Sequence, residues 1–182
     1  MSKVTCSVCG KTSTSFDVFW DLSLPVPIQD KAASLTDLLE AFCSEEEMDP
    51  DCGFRCEYCM KPTPKAMKKL TVAKWPKVLA IHLKRFSHEQ TGTKKICTPV
   101  SFPLKGLHCD GLQFDMVGVV NHLGTFFGGH YTADVFNPLS KSWWHADDSN
   151  FQPATKIGSN AYLLFYVETT RNDRSVKSLC KI

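Results

Sequence analysis

One segment of the chain carries a histidine and two aspartates at a spacing that suits proton-transfer chemistry. His130 follows two glycines and opens an alternating run to Phe136, which predicts a β-strand. A turn and a second predicted strand follow, with Asp147 and Asp148 at the far end. Such a hairpin would bring an aspartate beside His130, fixing the imidazole tautomer and leaving one nitrogen as a base. From spacing alone, this pair is more often a surface contact than a catalytic one, and the glycines would let a substrate chain approach closely.

Two Cys-x-x-Cys pairs have the spacing of zinc knuckles. The first pair is Cys6 and Cys9, and the second is Cys56 and Cys59. In a knuckle, two thiolates from one tight turn occupy two corners of a tetrahedron, so two pairs together predict a four-cysteine zinc site. Four buried free thiols are the alternative arrangement, and Cys52 could replace one of the four ligands.

Composition limits the class of protein. The chain has 182 residues, enough for one domain with a core or for a core plus a small satellite, and 43% are hydrophobic. The formal net charge of +2 is too small to indicate nucleic-acid binding, and the lysine-rich residues 61–69 have no interleaved aromatics. No apolar run predicts a membrane span or a signal peptide. We therefore expect a monomeric intracellular protein of the cytoplasm or nucleus, whose nine cysteines bind metal rather than form disulfides.

The first third of the chain predicts one strand and one helix. Apolar and polar residues alternate over residues 13–24, which predicts a half-buried strand. Apolar side chains recur at helical spacing from Leu35 to about Cys43, with Ser34 placed as the N-cap. We interpret the acidic run Glu45–Glu47 as the solvated end of this helix.

The rest of the chain predicts a β-sheet. Residues 78–86 are almost continuously apolar, which predicts a central strand covered on both faces, with His82 as a hydrogen-bonded core histidine. Further strands of this sheet are predicted at residues 100–103, 113–120 and 161–167. Residues 121–129 form a predicted glycine-rich loop, and the polar residues 169–182 predict a loose tail.

Several motifs, in order along the chain, resemble those of the ubiquitin-specific proteases. Within residues 4–168 these motifs are CSVCG, FWDLSLPVP, CEYC, VLAIHLKRF, GGHYTA, ADDS and AYLLFY. Members of this family are papain-like cysteine proteases that cleave after the C-terminal Gly-Gly of ubiquitin. The resemblance implies a partial α+β catalytic domain with zinc-ribbon fingers at residues 4–75 and a mostly antiparallel β palm at residues 76–168, the thumb being missing.

The resemblance also implies a role for each candidate residue. His130 matches the general base and Asp147 the residue that orients it, while Asp148 would assist or contact the oxyanion region. The zinc would be structural and would lie at the tip of the fingers, which grip the globular body of ubiquitin. The glycine-rich loop would border the channel that admits the ubiquitin tail, so ubiquitin and ubiquitinated proteins are the expected partners.

The family's nucleophile has no counterpart in the sequence. In the family, the reactive cysteine belongs to an N-T-C-Y-M-N box upstream of the fingers, and the chain contains no such box. Cys43 lies on a predicted helix that faces the core, and Cys97 and Cys109 lack a glycine-rich or amide-rich context. We therefore expect the chain to supply the His/Asp half of a deubiquitinase and to be inactive alone. The alternatives are a non-catalytic ubiquitin-binding pseudo-protease and a zinc-ribbon interaction module.

Overall fold

A computed structural model describes residues 1–49, 51, 54–63, 65–89, 92–158 and 160–169. The alternative ligand Cys52 and almost all of the predicted tail lie outside these residues. The described residues cluster into two compact units. The first contains Met1–Trp20 and Asp37–Trp75, and the second contains Asp21–Thr36 and the described residues from Pro76 onward. The division into residues 4–75 and 76–168 stays a prediction.

The described part of the chain contains one helix and sixteen strands. The helix α1 spans Leu35–Cys43. The strands are β1 (Ser2–Thr5), β2 (Thr12–Ser15), β3 (Leu22–Pro25), β4 (Ala33–Ser34), β5 (Glu45–Glu47), β6 (Met67–Leu70), β7 (Val78–Lys84), β8 (Phe86–Glu89), β9 (Gly92–Lys95), β10 (Val100–Ser101), β11 (Leu107–Cys109), β12 (Leu112–Gly124), β13 (Gly129–Asn137), β14 (Ser142–Asp147), β15 (Asn150–Pro153) and β16 (Ala161–Glu168). No helix among the described residues combines the length and the hydropathy that crossing a bilayer requires.

The first unit is built on a four-stranded antiparallel sheet in the order β2-β1-β6-β5. The interpretation of Glu45–Glu47 as a helix end is wrong, because these residues form strand β5 at the sheet edge. Glu46 lies 3.2 Å from Lys68, and Glu47 lies 3.7 Å from Lys65. Opposite charges that face one another across a sheet stabilise the pairing, so the lysine-rich segment meets acidic partners within its own unit.

The predicted helix is confirmed with the bounds Leu35–Cys43. The side-chain oxygen of Ser34 accepts a hydrogen bond from the backbone N–H of Thr36 at 3.2 Å. This bond satisfies one of the N–H groups that a helix start leaves unpaired. Leu35, the first helical residue, is buried.

The predicted strand over residues 13–24 is wrong as a continuous element. Strand β2 ends at Ser15 and β3 begins at Leu22, and no strand pairing joins the residues between them to another described strand. Val18 and Trp20 are each 95% exposed. Alternating apolar residues form a half-buried strand only where a neighbouring strand and a core are available to that face.

The second unit is built on an eight-stranded sheet. Its order is β15-β14-β13-β12-β16-β7-β3, and β11 pairs with β12 outside this path. All neighbouring pairs are antiparallel except β3 and β7, which are parallel. The core contains buried apolar residues of several strands, among them Leu24, Ile81, Phe114, Val119 and Leu164.

The strand predicted at residues 78–86 is shorter and less central than expected. Strand β7 ends at Lys84 and lies second from the sheet edge, and its burial alternates along its length. Arg85 interrupts the run because its buried guanidinium donates to the backbone carbonyls of Ala161, Ile96 and Thr98. These three hydrogen bonds satisfy the donors of a buried cation and hold the residue between β7 and β8 in place.

The predictions for residues 100–103 and 121–129 also need correction. Residues 100–101 form β10, which pairs in parallel with β4 in a separate two-stranded sheet instead of joining the main sheet. Strand β12 extends through most of the predicted loop, because Leu123 pairs with His130 and Gly124 with Gly129. The connection to His130 is therefore a tight turn over residues 125–128, and the strand predicted at residues 161–167 is confirmed as β16.

The main sheet makes a testable prediction about stability. Leu164→Ala should lower the free energy of unfolding by about 2 to 5 kcal/mol, because Leu164 is fully buried and its loss leaves a cavity. Leu139→Ala is the matched control, since Leu139 is 86% exposed in the turn between β13 and β14. It should change stability by less than about 0.5 kcal/mol. Urea unfolding followed by circular dichroism measures both, and equal costs would contradict the assigned core.

Candidate functional site

The candidate site is built on the predicted hairpin, which the structure confirms as β13 and β14. The register sets Ala133 opposite Ala146 and Asp134 opposite His145. The turn is closed by Asn137, whose side-chain oxygen accepts from two backbone N–H groups that follow it, at 2.9 and 3.3 Å. Such an Asx turn fixes the loop length, and loop length fixes hairpin register.

The register brings His130 and Asp147 into contact. Nε2 of His130 lies 2.5 Å from Oδ1 of Asp147. Because a carboxylate only accepts, Nε2 carries a proton, and in the neutral imidazole Nδ1 is left as the base. The hydrogen bond that His130 donates to Asp147, together with the charge of Asp147, raises the pKa of His130, and the charge of Asp148 adds to the effect.

Asp148 lies close to both His130 and Asp147. It adopts a left-handed φ of 49° in the turn that joins β14 to β15. One side-chain donor atom from each of His130, Asp147 and Asp148 lies within 4.8 Å of the other two. The structure thus brings together all three residues proposed from the hairpin, and none of the described cysteines joins this cluster.

The two glycines before His130 differ in their surroundings. A Cβ at Gly128 would meet open space, which agrees with the expected room for a substrate. A Cβ on Gly129 would instead overlap the ring of His122 and the backbone oxygen of Leu123. Gly129 is therefore required by packing within the sheet, a role that the sequence pattern did not reveal.

His122 is a buried histidine that the sequence analysis passed over. It is 3% exposed, and its ring centroid lies 4.7 Å from that of Tyr131, 5.5 Å from Phe86 and 5.8 Å from Tyr162. Burial lowers the pKa of His122, and the charge of Lys95 lowers it further, which favours the neutral form of the ring. This aromatic cluster adjoins the strand that carries the site.

Phe126 and Phe127, in the turn that precedes His130, have different environments. Phe126 contacts Phe86 with ring centroids 5.8 Å apart, whereas Phe127 is 89% exposed.

The expected hydrogen bond of His82 is also present, since Nδ1 lies 3.0 Å from the hydroxyl of Ser23, which donates to Asp21.

The four knuckle cysteines of the first unit converge as expected. Their sulfur atoms all lie within 4.8 Å of one another, with 4.0 Å between Cys6 and Cys59 and 3.6 Å between Cys9 and Cys56. A disulfide would need about 2.05 Å, whereas the edge of a tetrahedron with metal–sulfur bonds of about 2.3 Å is about 3.8 Å. The donor set and its spacing therefore fit a four-coordinate metal ion.

The surroundings of Cys6 favour a thiolate. Its sulfur lies 3.3 Å from the hydroxyl of Thr63 and accepts from the backbone N–H of Val8 at 3.4 Å. These bonds, led by that from Thr63, lower the pKa of the Cys6 thiol to about 6. A thiolate is the form that binds metal.

A second histidine–aspartate pair lies in the same hairpin, and the sequence analysis missed it. Nδ1 of His145 lies 2.6 Å from Oδ1 of Asp134, whose side chain is almost completely buried. Period-two alternation places Asp134 on the same strand face as His130, but its pairing with His145 depends on the hairpin register.

Known proteins share both the sequence and the fold of the chain. The sequence model for "Ubiquitin carboxyl-terminal hydrolase" matches residues 1–166. The chain belongs to the ubiquitin carboxyl-terminal hydrolase family. Ubiquitin carboxyl-terminal hydrolase 2 of Gallus gallus is 41% identical over 177 residues, which cover 91% of the chain and 49% of that protein. Ubiquitin carboxyl-terminal hydrolase 21 of Rattus norvegicus is 37% identical over 180 residues, covering 91% and 31%.

Solved structures confirm the predicted fold class. A chain of a SAGA DUB module of Ubp8(C146A), Sgf11, Sus1 and Sgf73 bound to monoubiquitin superposes with a TM-score of 0.78 at 31% identity. The match covers 94% of the chain and 40% of that protein. A yeast SAGA DUB module with a mutant Sgf73 gives a TM-score of 0.79 with the same identity and coverage. The chain thus has a partial ubiquitin-hydrolase fold, mostly antiparallel β, and spans half or less of the length of these relatives.

The contact between His130 and Asp147 predicts how two substitutions change the pKa of His130. Asp147→Asn should move the pKa of His130 down toward its ordinary value, because the hydrogen bond and charge that raise it are lost. Asp148→Asn is the matched control and should cause a smaller fall. NMR titration of the imidazole signals measures both, and an unchanged midpoint in Asp147→Asn would contradict the contact.

The same contact predicts how the stability of the fold depends on pH. The pKa of His130 is raised in the folded chain, so the pair stabilises the fold fully below about pH 6.5, the unfolded value. This contribution is lost as the pH rises through the raised pKa of the folded state. The stability difference between wild type and Asp147→Asn should therefore shrink with rising pH.

Proposed function

We propose that the chain supplies the general base and its orienting carboxylate to a cysteine-type deubiquitinase that cleaves after the last glycine of ubiquitin. The observation that carries the proposal is the contact between His130 and Asp147, which holds Nε2 and leaves Nδ1 for a thiol. The membership of the family supports the reaction class. Solved relatives bound to monoubiquitin and to ubiquitin aldehyde support ubiquitin as the ligand.

The dyad suits both half-reactions of such an enzyme. Nδ1 of His130 takes the proton of a cysteine thiol, and the resulting thiolate attacks the carbonyl carbon of ubiquitin's last glycine. The carbon–nitrogen bond to the substrate lysine then breaks, and the imidazolium delivers its proton to the departing amine. In deacylation, the same nitrogen removes a proton from water as the water attacks the thioester carbon. The carbon–sulfur bond then breaks, and the imidazolium returns its proton to the departing thiolate. Asp147 stabilises the imidazolium in both steps, and Asp148 assists at the oxyanion side.

The thiol is proposed to come from a polypeptide segment other than the described chain. None of the described cysteines joins the cluster of His130, Asp147 and Asp148. Without a nucleophile the base has no thiol proton to accept, so no acyl-enzyme forms. The chain alone should therefore release no fluorophore from a ubiquitin–fluorophore conjugate, and turnover that His130→Ala abolishes would contradict this.

A chimera tests the proposed role directly. The chain replaces the matching part of the chicken relative, which is 41% identical and supplies its own remaining half. The chimera should cleave a ubiquitin–fluorophore conjugate, and His130→Ala should lower kcat by about 10²-fold to 10⁴-fold through loss of the base. His108→Ala is the matched control, since His108 is exposed on β11. Equal turnover by the chimera and its His130→Ala variant would refute the assignment.

A non-catalytic ubiquitin-binding module is the second candidate. It is favoured by the same observation that no described thiol lies in the His130 cluster. The two candidates separate in the chimera. A folded chimera that binds ubiquitin and shows no turnover would support the binding module and exclude the catalytic role.

We further propose that the four knuckle cysteines hold a structural zinc ion. Their spacing fits tetrahedral coordination, and four protein ligands would leave no open position for chemistry. Bound zinc would supply a cross-link between two turns that lie about fifty residues apart in sequence.

Metal analysis tests the zinc assignment. Freshly reduced chain should contain one equivalent of zinc, and Cys59→Ser should reduce this severely because it removes one of four thiolates. Cys97→Ser, at an exposed cysteine outside the cluster, is the matched control and should keep a full equivalent. Zinc well below one equivalent in the wild-type chain would contradict the assignment.

A further inference from the structure

We propose that Asp134 and His145 form a positioning pair, which holds strand β14 so that Asp147 stays within reach of His130. The inference rests on the proposed function, because it concerns the same dyad. It assigns a role to two residues that take no part in the chemistry described above.

The side chain of Asp134 joins two neighbouring strands and one loop. Its carboxylate accepts from the side-chain amide of Asn121 on β12 at 2.8 Å and from the backbone N–H of Gly158 at 2.8 Å. Its other oxygen pairs with Nδ1 of His145 on β14 at 2.6 Å. The residue is 1% exposed, so these donors take the place of water.

Charge explains why His145 matters among these donors. Among the described residues, no lysine or arginine forms an ion pair with Asp134, whereas His145 lies within ion-pair distance. A buried carboxylate without a compensating cation or a full set of donors is strongly unfavourable. Nδ1 of His145 provides the donor for the one oxygen of Asp134 that Asn121 and Gly158 do not reach.

The hairpin register links this pair to the dyad. Asp134 and His145 are directly opposite, and Asp147 lies two residues beyond His145 on the same face of β14. On β13, His130 lies on the same face as Asp134, four residues earlier. Each strand therefore supplies one histidine and one aspartate, and the two pairs share one face of the hairpin.

The dyad itself is poorly restrained by its own contacts. The side chains of His130 and Asp147 are 46% and 43% exposed, so water competes for their hydrogen bond. Among the described residues, the hydrogen bond recorded for the Asp147 carboxylate is the one to His130. The position of Asp147 must therefore come from the backbone of β14, and the buried pair ties that strand to β13 on the face that the dyad occupies.

Two substitutions at His145 separate positioning from other effects. His145→Asn keeps an N–H donor near the place of Nδ1, whereas His145→Leu has a similar bulk and no donor. Leucine leaves one oxygen of a buried carboxylate unpaired, so β14 should shift and weaken the dyad. NMR titration of His130 in the whole zinc-loaded chain is the readout, with the signals of exposed His108 as an internal reference.

We expect the His130 midpoint in His145→Leu to fall by about half a pH unit or more from wild type. His145→Asn should titrate like wild type. The sign is informative, because loss of the Asp147 contact lowers the pKa of His130. In the active chimera, His145→Leu should lower kcat about tenfold or more with little change in KM.

Other outcomes overturn the inference. A folded His145→Leu chain with an unchanged His130 midpoint would show that the pair does not position Asp147, and so would equal shifts in the Leu and Asn variants. If His145→Leu does not fold, His145→Gln carries the same test, because its amide corresponds to Nε2 and not to Nδ1. A wild-type His130 with an ordinary midpoint would instead refute the dyad, and with it the proposed function, so the two failures are distinguishable.

Discussion

The antiparallel register between β13 and β14 is the constraint on which the candidate site depends. His130 and Asp147 are separated by 17 positions in sequence, and only a hairpin of this length brings their side chains within 2.5 Å. A slip of one residue would send Asp147 to the opposite face of the sheet and destroy the contact. The Asx turn at Asn137 and the pairing of β13 with β12 fix the register from both sides.

The site joins an exposed contact to a buried network. His130 and Asp147 lie half in solvent, as they must if a substrate and a thiol are to reach them. Exposed pairs of this kind contribute little to stability and hold their geometry poorly. Asp134, on the same strand, lies in the interior and accepts hydrogen bonds from two neighbouring elements and one loop. The buried hydrogen bonds of Asp134 therefore lie beside the exposed pair of His130 and Asp147. Supporting hydrogen bonds of this kind usually hold reactive side chains in place.

The two units are stabilised by different means. The second unit buries alternate apolar residues of a wide sheet, including Phe114, Val119 and Leu164. The first unit has a four-stranded sheet whose strands β1 and β2 are short and polar, and its most buried side chains include Cys6 and Cys56. A unit with so little apolar interior would gain stability from a cross-link, and its four converging thiols are the ligands of the proposed zinc ion.

The sequence by itself determined the features that depend on local pattern. The two cysteine pairs, the helix over Leu35–Cys43, the hairpin and the approach of an aspartate to His130 follow from spacing, capping and period-two alternation. The choice of Asp147 over Asp148 came from the family resemblance. The motifs were also sufficient to identify the family, because several of them occur in a fixed order over most of the chain.

Only the tertiary structure decided the features that depend on which strand lies beside which. Alternation over residues 13–24 could not reveal that Val18 and Trp20 have no covering neighbour, and the acidic run Glu45–Glu47 became a strand because lysines of β6 face it. The role of Gly129 needed the ring of His122, and the pairing of Asp134 with His145 needed the register. Burial and partner choice are properties of the assembled sheet, because strand propensity depends on the neighbours that a strand acquires.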